Sequence, residues 1–278
     1  MIGPWCWKNG ALLPVENACI PVDDINFAYG YGVYETLKVR KGLVFFPEYH
    51  ETRLFHSARI IDVEHLLCPG DLIMGCKTLI HENKLIDANL KVLLIGGKTP
   101  EAAQFWIMAL SPLFPDRKNY KIGGQVVTYS GERSFPQAKT LNMLISTLAY
   151  RKAQSAQAYD ALLVNHKGEI TEGTRTNFFW SDGEKIFTPP AKEVLEGVTK
   201  LTVCKTMEAM GIPWEEKKLH LSDLPKVKGC FLTSTSTKIM PLHKVDDWEI
   251  PLDPLITRLM VSYDLFLKHY AQDHFSPD

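Results

Sequence analysis

Apolar and polar positions change their period several times along the chain, and each change predicts an element. "WCWKNGALLP" alternates on both sides of Asn9-Gly10, a dipeptide that closes two-residue hairpins. "GVYETLKVRKGLVFF" predicts two strands turned at Lys41-Gly42. "PEYHETRLFHSARIID" predicts a helix that starts at a proline, whose fixed φ and missing N–H suit the first helical position. "PGDLIMGCKTLIHENK" predicts another, with Leu72, Ile73, Cys76, Leu79 and Ile80 on one face. "LKVLLIGG", "QFWIMALS" and "YKIGGQVVTYS" predict successive strands.

A polar stretch, "SGERSFPQAKT", interrupts this pattern with Gly131 and Pro136 and precedes a helix over about 141–156. The pattern then restarts. "DALLVNHKGEITEG" predicts a hairpin turned near Lys167-Gly168, and "TNFFWSDGEKIFTPP" a second with Asp182-Gly183 at its tip. "EGVTKLTVCKTMEAMGI" predicts a helix, "GCFLTSTSTKIMPL" contains a strand, and "DPLITRLMVSYDLFLKHYAQ" is a terminal helix. The order predicts an α+β protein in two domains, residues 1–130 and 131–278, with Lys139 in the second. It is not a regular βαβ series, which argues against a dinucleotide-binding fold. The glycines of "YGYGVYE" lead into a strand rather than a helix, so they make a poor phosphate loop.

Composition narrows the function. The 278 residues allow ample core, and 45% hydrophobic with 23% charged residues is ordinary for a globular protein. A formal net charge of −1 gives no global field for nucleic acid or an anionic membrane, so any anion site must be local. The start, "MIGPWCWKNG", lacks the pattern of a secretory leader, and no apolar run reaches the roughly 20 residues of a membrane span. The six cysteines are scattered with no C-x-x-C pair, which argues against zinc and fits free thiols in a reducing cytoplasm.

Several residues carry candidate chemistry, though each alone has a plain structural reading. Lys139 is by default a solvated charge at a helix start, but Phe135, Pro136, Leu141, Met143 and Leu144 around it could desolvate the amine and make it a nucleophile. Glu172 and Gly173 fall where one strand ends and the next begins, as turn residues or as a carboxylate aimed at a buried ring nitrogen. Val198 and Thr199 open a helix, whose N-terminus is either simply capped or holds a phosphate. The run Thr233 to Thr237 offers hydroxyls for water or for the same phosphate, and Arg53 is either a surface ion pair or a phosphate ligand. Taken together, a lysine, a carboxylate 33 positions on, a helix N-terminus, hydroxyls and an arginine are the set that pyridoxal phosphate needs.

From about residue 3 to 265 the sequence resembles the fold-type IV pyridoxal-phosphate enzymes, a group that includes branched-chain aminotransferases, D-amino acid aminotransferases and aminodeoxychorismate lyases. The carriers are "YGYGVYETLKV" with "HETRLFHSA", then "AKTLN", "GEITEGTRTNFFW", "IFTPP", "LEGVTK" and "TSTSTKIMPL", in that order. The resemblance implies a smaller N-terminal α/β domain, a larger C-terminal domain with a barrel-like sheet, and a homodimer. It implies pyridoxal 5'-phosphate as cofactor, with Lys139 as the lysine bound to it and Glu172 as partner of the ring nitrogen. Arg53, the backbone at Val198 and Thr199, and the hydroxyls at Thr235 and Ser236 then bind its phosphate, and Tyr34 lines the substrate side. For Tyr29 and Tyr31 the packing reading leads.

Three functions follow. The first is an aminotransferase moving an amino group between an amino acid, branched-chain among the options, and a 2-oxo acid. The second is a lyase releasing pyruvate and 4-aminobenzoate from 4-amino-4-deoxychorismate. The third is an idle cofactor-binding protein, which would have no chemical need for Lys139. D-amino acid aminotransferases carry an Arg-x-His pair before Gln-Phe, where "GGKTPEAAQFW" has Glu101 and Ala103, and the "RGY"-like segment of branched-chain enzymes is also missing.

Overall fold

The structure, a computed structural model, describes residues 1–112 and 116–274, with nothing said of the Arg117 side chain. It is α+β, as the sequence predicts, and divides into two compact units. The first takes the described residues of Met1–Leu113 with Ala138–Met143 and His274; the second takes those of Phe114–Gln137 and Leu144–Asp273.

The first unit runs β1 (Trp5–Lys8), β2 (Ala11–Pro14), α1 (Ile25–Ala28), β3 (Gly32–Arg40), β4 (Leu43–Val44), α2 (Pro47–Ile60), α3 (Asp71–Glu82), β5 (Ala88–Ile95) and β6 (Gln104–Leu110). Its sheet has the order β2-β1-β6-β5-β3-β4, and every pair is antiparallel. Both predicted hairpin turns are present, and both need a left-handed backbone at two successive positions: φ is 46° and 90° at Asn9-Gly10, and 50° and 76° at Lys41-Gly42. On one face of the sheet Val33, Leu37, Val39, Leu90 and Val92 join Leu54 of α2 and Leu72 and Leu79 of α3 in a single core. The buried stripe of α2 is unusual in also holding His50, Arg53 and Ser57.

The second unit runs α4 (Arg117–Ile122), β7 (Gly124–Ser130), α5 (Leu144–Ser155), β8 (Asp160–Val164), β9 (Glu169–Gly173), β10 (Asn177–Ser181), β11 (Ile186–Thr188), α6 (Val198–Ala209), β12 (Trp214–Glu216), β13 (Leu219–His220), β14 (Gly229–Ser234), β15 (Lys238–Val245), β16 (Trp248–Glu249) and α7 (Pro254–His274). Strands β10-β14-β15-β7-β8-β9 follow one another in its ten-stranded sheet, and the pairing Asn177↔Glu172 brings β9 back to β10. That closes a six-strand ring, the barrel-like sheet expected of the larger domain. Successive residues of its strands enter different cores. Phe178 and Trp180 pack with Leu232 and Met240, while Phe179 between them packs with Phe231, Val203 of α6 and Leu259 of α7. Burial on both faces explains why "NFFWS" and "GCFLTS" read as apolar runs rather than alternations.

Three local expectations are corrected. Tyr120–Ile122, expected within a strand, end the helix α4, because Gly123 at φ 87° breaks it and the strand starts only at Gly124. "GCFLTSTSTKIMPL" holds two strands rather than one, β14 and β15, with Thr235 and Ser236 in the turn between them. Finally, Lys139 belongs with the first unit, whereas the sequence reading has it in the second domain. The reason is backbone pairing: Tyr34 N donates to Lys139 O at 2.8 Å, Leu141 N donates to Gly32 O at 2.8 Å, and Val33 bridges to Thr140.

Candidate functional site

Within the first unit, Lys139 is held at its backbone from two sides. Its carbonyl accepts from β3 at Tyr34, and its N–H donates to Ser57 Oγ of α2 at 3.1 Å. The side chain is left to follow its own direction, which is over the ring of Tyr34, with Nζ 4.4 Å from the ring centroid. Tyr34 is 7% exposed, and its hydroxyl donates to Met143 Sδ at 3.4 Å. A second lysine meets the same ring: Lys91 Nζ, from β5, stands 3.4 Å from the centroid. Lys91 pairs with Thr36, two residues from Tyr34, so it is a diagonal neighbour that a long side chain can reach.

Arg53 points its guanidinium at Glu35 of β3. Nε donates to Oε1 at 2.7 Å and Nη2 donates to Oε2 at 2.8 Å, a bidentate pair in which Glu35 is fully buried. His50, also buried, places Nδ1 2.8 Å from the same Oε2. Burial pushes the Glu35 carboxyl up, but the Arg53 charge and the hydrogen bonds from His50 and Arg53 outweigh it and hold the group well below the usual carboxylate range. For His50 burial dominates over the attraction of Glu35, and Arg53 and Lys139 push the same way, so its proton affinity falls below the ordinary histidine value. The neutral imidazole then donates Nδ1–H to an ionised Glu35.

In the second unit, Glu172 sits at the closing point of the ring, in β9 next to Gly173. Arg133 Nε donates to its Oε1 at 2.7 Å, and the Leu195 N–H donates to Oε2 at 3.3 Å. Arg133 also donates to the Pro136 carbonyl, so the guanidinium ties the polar stretch before Lys139 to this carboxylate. Val198 and Thr199 form the first turn of α6, and the preceding Gly197 gives it no side-chain cap. A Cβ at Gly197 would stand 2.0 Å from Asn177 Oδ1, so the chain approaches β10 there more closely than any other residue type allows. Among the described residues, Lys200 Nζ and Thr233 Oγ1 are buried with no hydrogen-bond partner, although Glu216 lies 3.9 Å from Lys200.

Of the expected site residues, Lys139, Tyr34 and Arg53 fall in the first unit, with Lys139 and Tyr34 in direct contact. Glu172, Val198, Thr199, Thr235 and Ser236 fall in the second. Thr235 and Ser236 lie in a turn braced by Ser234, whose hydroxyl is 2.7 Å from Thr237 Oγ1. Tyr31 packs against the first core, but Tyr29 is 79% exposed, which corrects the packing reading for it.

Four residues escaped the sequence reading: Glu35, His50, Lys91 and Arg133. The first two had a legible signal. Glu35 falls in register with Val33, Leu37 and Val39, and a carboxylate on an apolar face must be paired. His50, Arg53 and Ser57 recur at helical spacing opposite it. Lys91 and Arg133 carried none, since their partners are set by tertiary approach.

Residues 32–245 match the family model described as amino-transferase class IV. The chain is 28% identical over 247 residues to the D-alanine aminotransferase of Bacillus licheniformis, which covers 86% of this chain and 87% of that one. It is 29% identical over 251 residues to a putative branched-chain-amino-acid aminotransferase of Methanocaldococcus jannaschii, with 86% and 87% covered. Its fold superposes on the Escherichia coli branched-chain amino acid aminotransferase with a TM-score of 0.86, at 24% identity over 93% of this chain and 92% of that one. A second branched-chain amino acid aminotransferase, solved with pyridoxamine 5'-phosphate, gives 0.87, at 24% identity over 96% and 94%. These matches favour the aminotransferase reading over the lyase and the idle protein. The chain belongs to the class IV aminotransferase family, and it is an enzyme of the aminotransferase kind.

Proposed function

We propose that the enzyme uses pyridoxal 5'-phosphate, held by Lys139, to move the amino group of a branched-chain amino acid to a 2-oxo acid. The observation that carries this reading is the setting of Lys139: a backbone fixed by β3 and α2, and an amine lying on a buried tyrosine. The second unit supports it with unused polar groups. An uncapped helix start at Val198 and Thr199, the unpartnered Thr233 hydroxyl and the buried Lys200, whose ion-pair partner Glu216 is as far as 3.9 Å, are chemistry suited to an anion such as a phosphate. Thr235 and Ser236 would add hydroxyls from the neighbouring turn, and Arg53 a charge-assisted donor. Glu172 would accept from the ring nitrogen, since an ionised carboxylate has lone pairs beyond those taken by Arg133 and Leu195.

Pyridoxal phosphate bound there would supply a carbonyl carbon for the substrate amine and a protonated ring that draws off electrons when the α-proton leaves. The rest falls to the chain. Lys139 in its neutral form takes the substrate α-proton at Nζ and gives it back. Glu172 keeps a negative charge opposite the ring N–H. Tyr34 walls one side of the amine and excludes water from it.

Branched-chain substrates are favoured by the names of relatives such as that of Methanocaldococcus jannaschii. D-alanine is the second reading, because of the Bacillus licheniformis relative. Against it, Glu101 and Ala103 stand where an Arg and a His would grip a D-amino acid. The enzyme would work as a homodimer: exposed Val22, Ile25, Phe27 and Tyr29 form an apolar run that a second copy would cover. Six free cysteines fit a reducing, cytoplasmic setting. Among the described residues no helix is long and apolar enough to cross a membrane.

Borohydride reduction and peptide mass mapping test the covalent assignment: the tag is expected on Lys139, and a tag on another lysine overturns it. A panel of leucine, isoleucine, valine and D-alanine with 2-oxoglutarate then reads the substrate class from the 2-oxo acid produced.

A further inference from the structure

A buried carboxyl group that the proposed chemistry does not use lies under the turn that follows Glu172. Asp160, the first residue of β8, is 4% exposed. Its Oδ1 accepts from Thr174 Oγ1 at 2.6 Å, from the Thr174 N–H at 3.3 Å and from the Ala161 N–H at 2.8 Å. Its Oδ2 accepts from Thr176 Oγ1 at 2.9 Å. All but the Ala161 donor belong to residues 173–176, which link β9 to β10. Arg175, between the two threonines, instead lays its guanidinium over the Tyr150 ring at 4.4 Å. Gly173 leaves room for this arrangement: a Cβ there would stand 2.0 Å from Thr176 Oγ1 and 2.7 Å from Asp160 Oδ2.

We infer that Asp160 positions Glu172: by gripping the turn it fixes where β9 ends and hence where the Glu172 carboxylate stands, an inference that rests on the reading of Glu172 as partner of the ring nitrogen. Strand pairing alone fixes that place weakly. One residue pair, Asn177↔Glu172, joins β9 to β10, and the pairing of β9 with β8 shifts register between Leu162 and Val164. The donors to the Glu172 oxygens, Arg133 Nε and the Leu195 N–H, come from segments outside helix and strand, which define a position less firmly than a strand does.

Asp160 has the firmer base. Its strand pairs residue for residue with β7, from Val126↔Asp160 to Ser130↔Val164. A carboxyl group buried to this extent is stable only when donors fill its lone pairs, so Asp160 and the turn hold each other. A partner for a ring nitrogen is useful only within about 0.5 Å of its productive place, which gives the brace a chemical purpose.

Amide hydrogen exchange at Leu195 reads the placement of Glu172 without any cofactor, because that N–H donates to Glu172 Oε2. It is measured by mass spectrometry at single-residue resolution on the full chain. The samples are the wild type, Asp160→Ala, Thr174→Val with Thr176→Val, and Thr174→Ser with Thr176→Ser. Exchange at Leu195 is expected to be about tenfold faster in the alanine and double-valine variants, the loss of one hydrogen bond to a charged group. The double-serine variant, which keeps both hydroxyls, is expected to match the wild type. An unchanged Leu195, or a rise matched by the amides of β14, overturns the inference. The double-valine variant keeps Asp160 in place and decides the matter where Asp160→Ala does not fold.

A second measurement compares dissociation constants for pyridoxal 5'-phosphate and its 1-deaza analogue, in which a C–H replaces the ring nitrogen. The double-valine variant should bind pyridoxal 5'-phosphate about tenfold more weakly and the analogue as the wild type does. Equal weakening of both means that Asp160 merely supports the fold, and overturns the inference. A wild type that binds the two compounds equally defeats instead the reading of Glu172 as partner of the ring nitrogen, while exchange at Leu195 still decides whether Asp160 places Glu172.

Discussion

Arg53 and Glu35 hold each other by two parallel hydrogen bonds of 2.7 and 2.8 Å, across the interface of α2 and β3. A fork-to-carboxylate match of this kind fixes the guanidinium plane as well as its position. The residue expected to bind phosphate is therefore also a structural partner. Its two roles have to be separated by experiment.

Arg53→Ala leaves Glu35 charged, buried and without its main partner, and should destabilise the fold by about 3–5 kcal/mol. Arg53→Lys keeps the charge but loses the second hydrogen bond. We expect it to fold while retaining cofactor more weakly, with a smaller effect on turnover once saturated. Urea unfolding of the two variants, set beside cofactor dissociation constants, makes the comparison. If Arg53→Lys binds cofactor like the wild type, the bidentate geometry has no part in phosphate binding.

Acidification should weaken the fold through His50. Its proton affinity in the folded protein is below the ordinary value, so near pH 6.5 and just below, the unfolded chain binds a proton that the folded one does not. Stability is thus full above that pH and declines as pH falls through it, by at most about 1.4 kcal/mol per pH unit for one histidine. His50→Asn keeps a donor toward Glu35 and removes the titration. Urea midpoints at pH 7 and pH 5.5 should differ less in His50→Asn than in the wild type, and an equal difference would point to other groups.

Lys139→Ala should leave the first unit folded, because the carbonyl and N–H at position 139 make the bonds to Tyr34 and Ser57 without the side chain. Turnover should fall by more than about 10³-fold, since proton carrier and nucleophile go together. Circular dichroism and a transamination assay on the same sample provide the two readouts. Retained turnover in a folded sample would falsify the role.

Gly197→Ala tests the helix start. The new methyl would meet Asn177 Oδ1, and the Asn177 amide already donates to Leu195 O at 2.7 Å, so either the side chain or the helix entry must move. Phosphate-bearing cofactor should bind at least about tenfold more weakly, while pyridoxal without its phosphate is affected less. Equal weakening of both compounds would show that the helix start is not the phosphate's seat.

Much of this protein was legible in its sequence because short-range rules govern those parts. Asn9-Gly10 and Lys41-Gly42 could only be turns, and Pro47 could only begin a helix; the expected set Lys139, Glu172, Arg53, Val198 and Thr199 came instead from the resemblance to a family, since each residue alone has a plain structural reading. Glu35 and His50 were in principle legible too, as polar residues in apolar registers. Tertiary structure decided the rest. Position 139 joins the first unit because β3 has a free edge for residues 139–141, and no local pattern encodes which edge a strand will find. The same holds for Arg133 meeting Glu172 across 39 positions, and for Lys91 and Lys139 converging on one tyrosine. Such meetings depend on strand order and register, which are settled by packing over the whole sheet and not by the residues that meet.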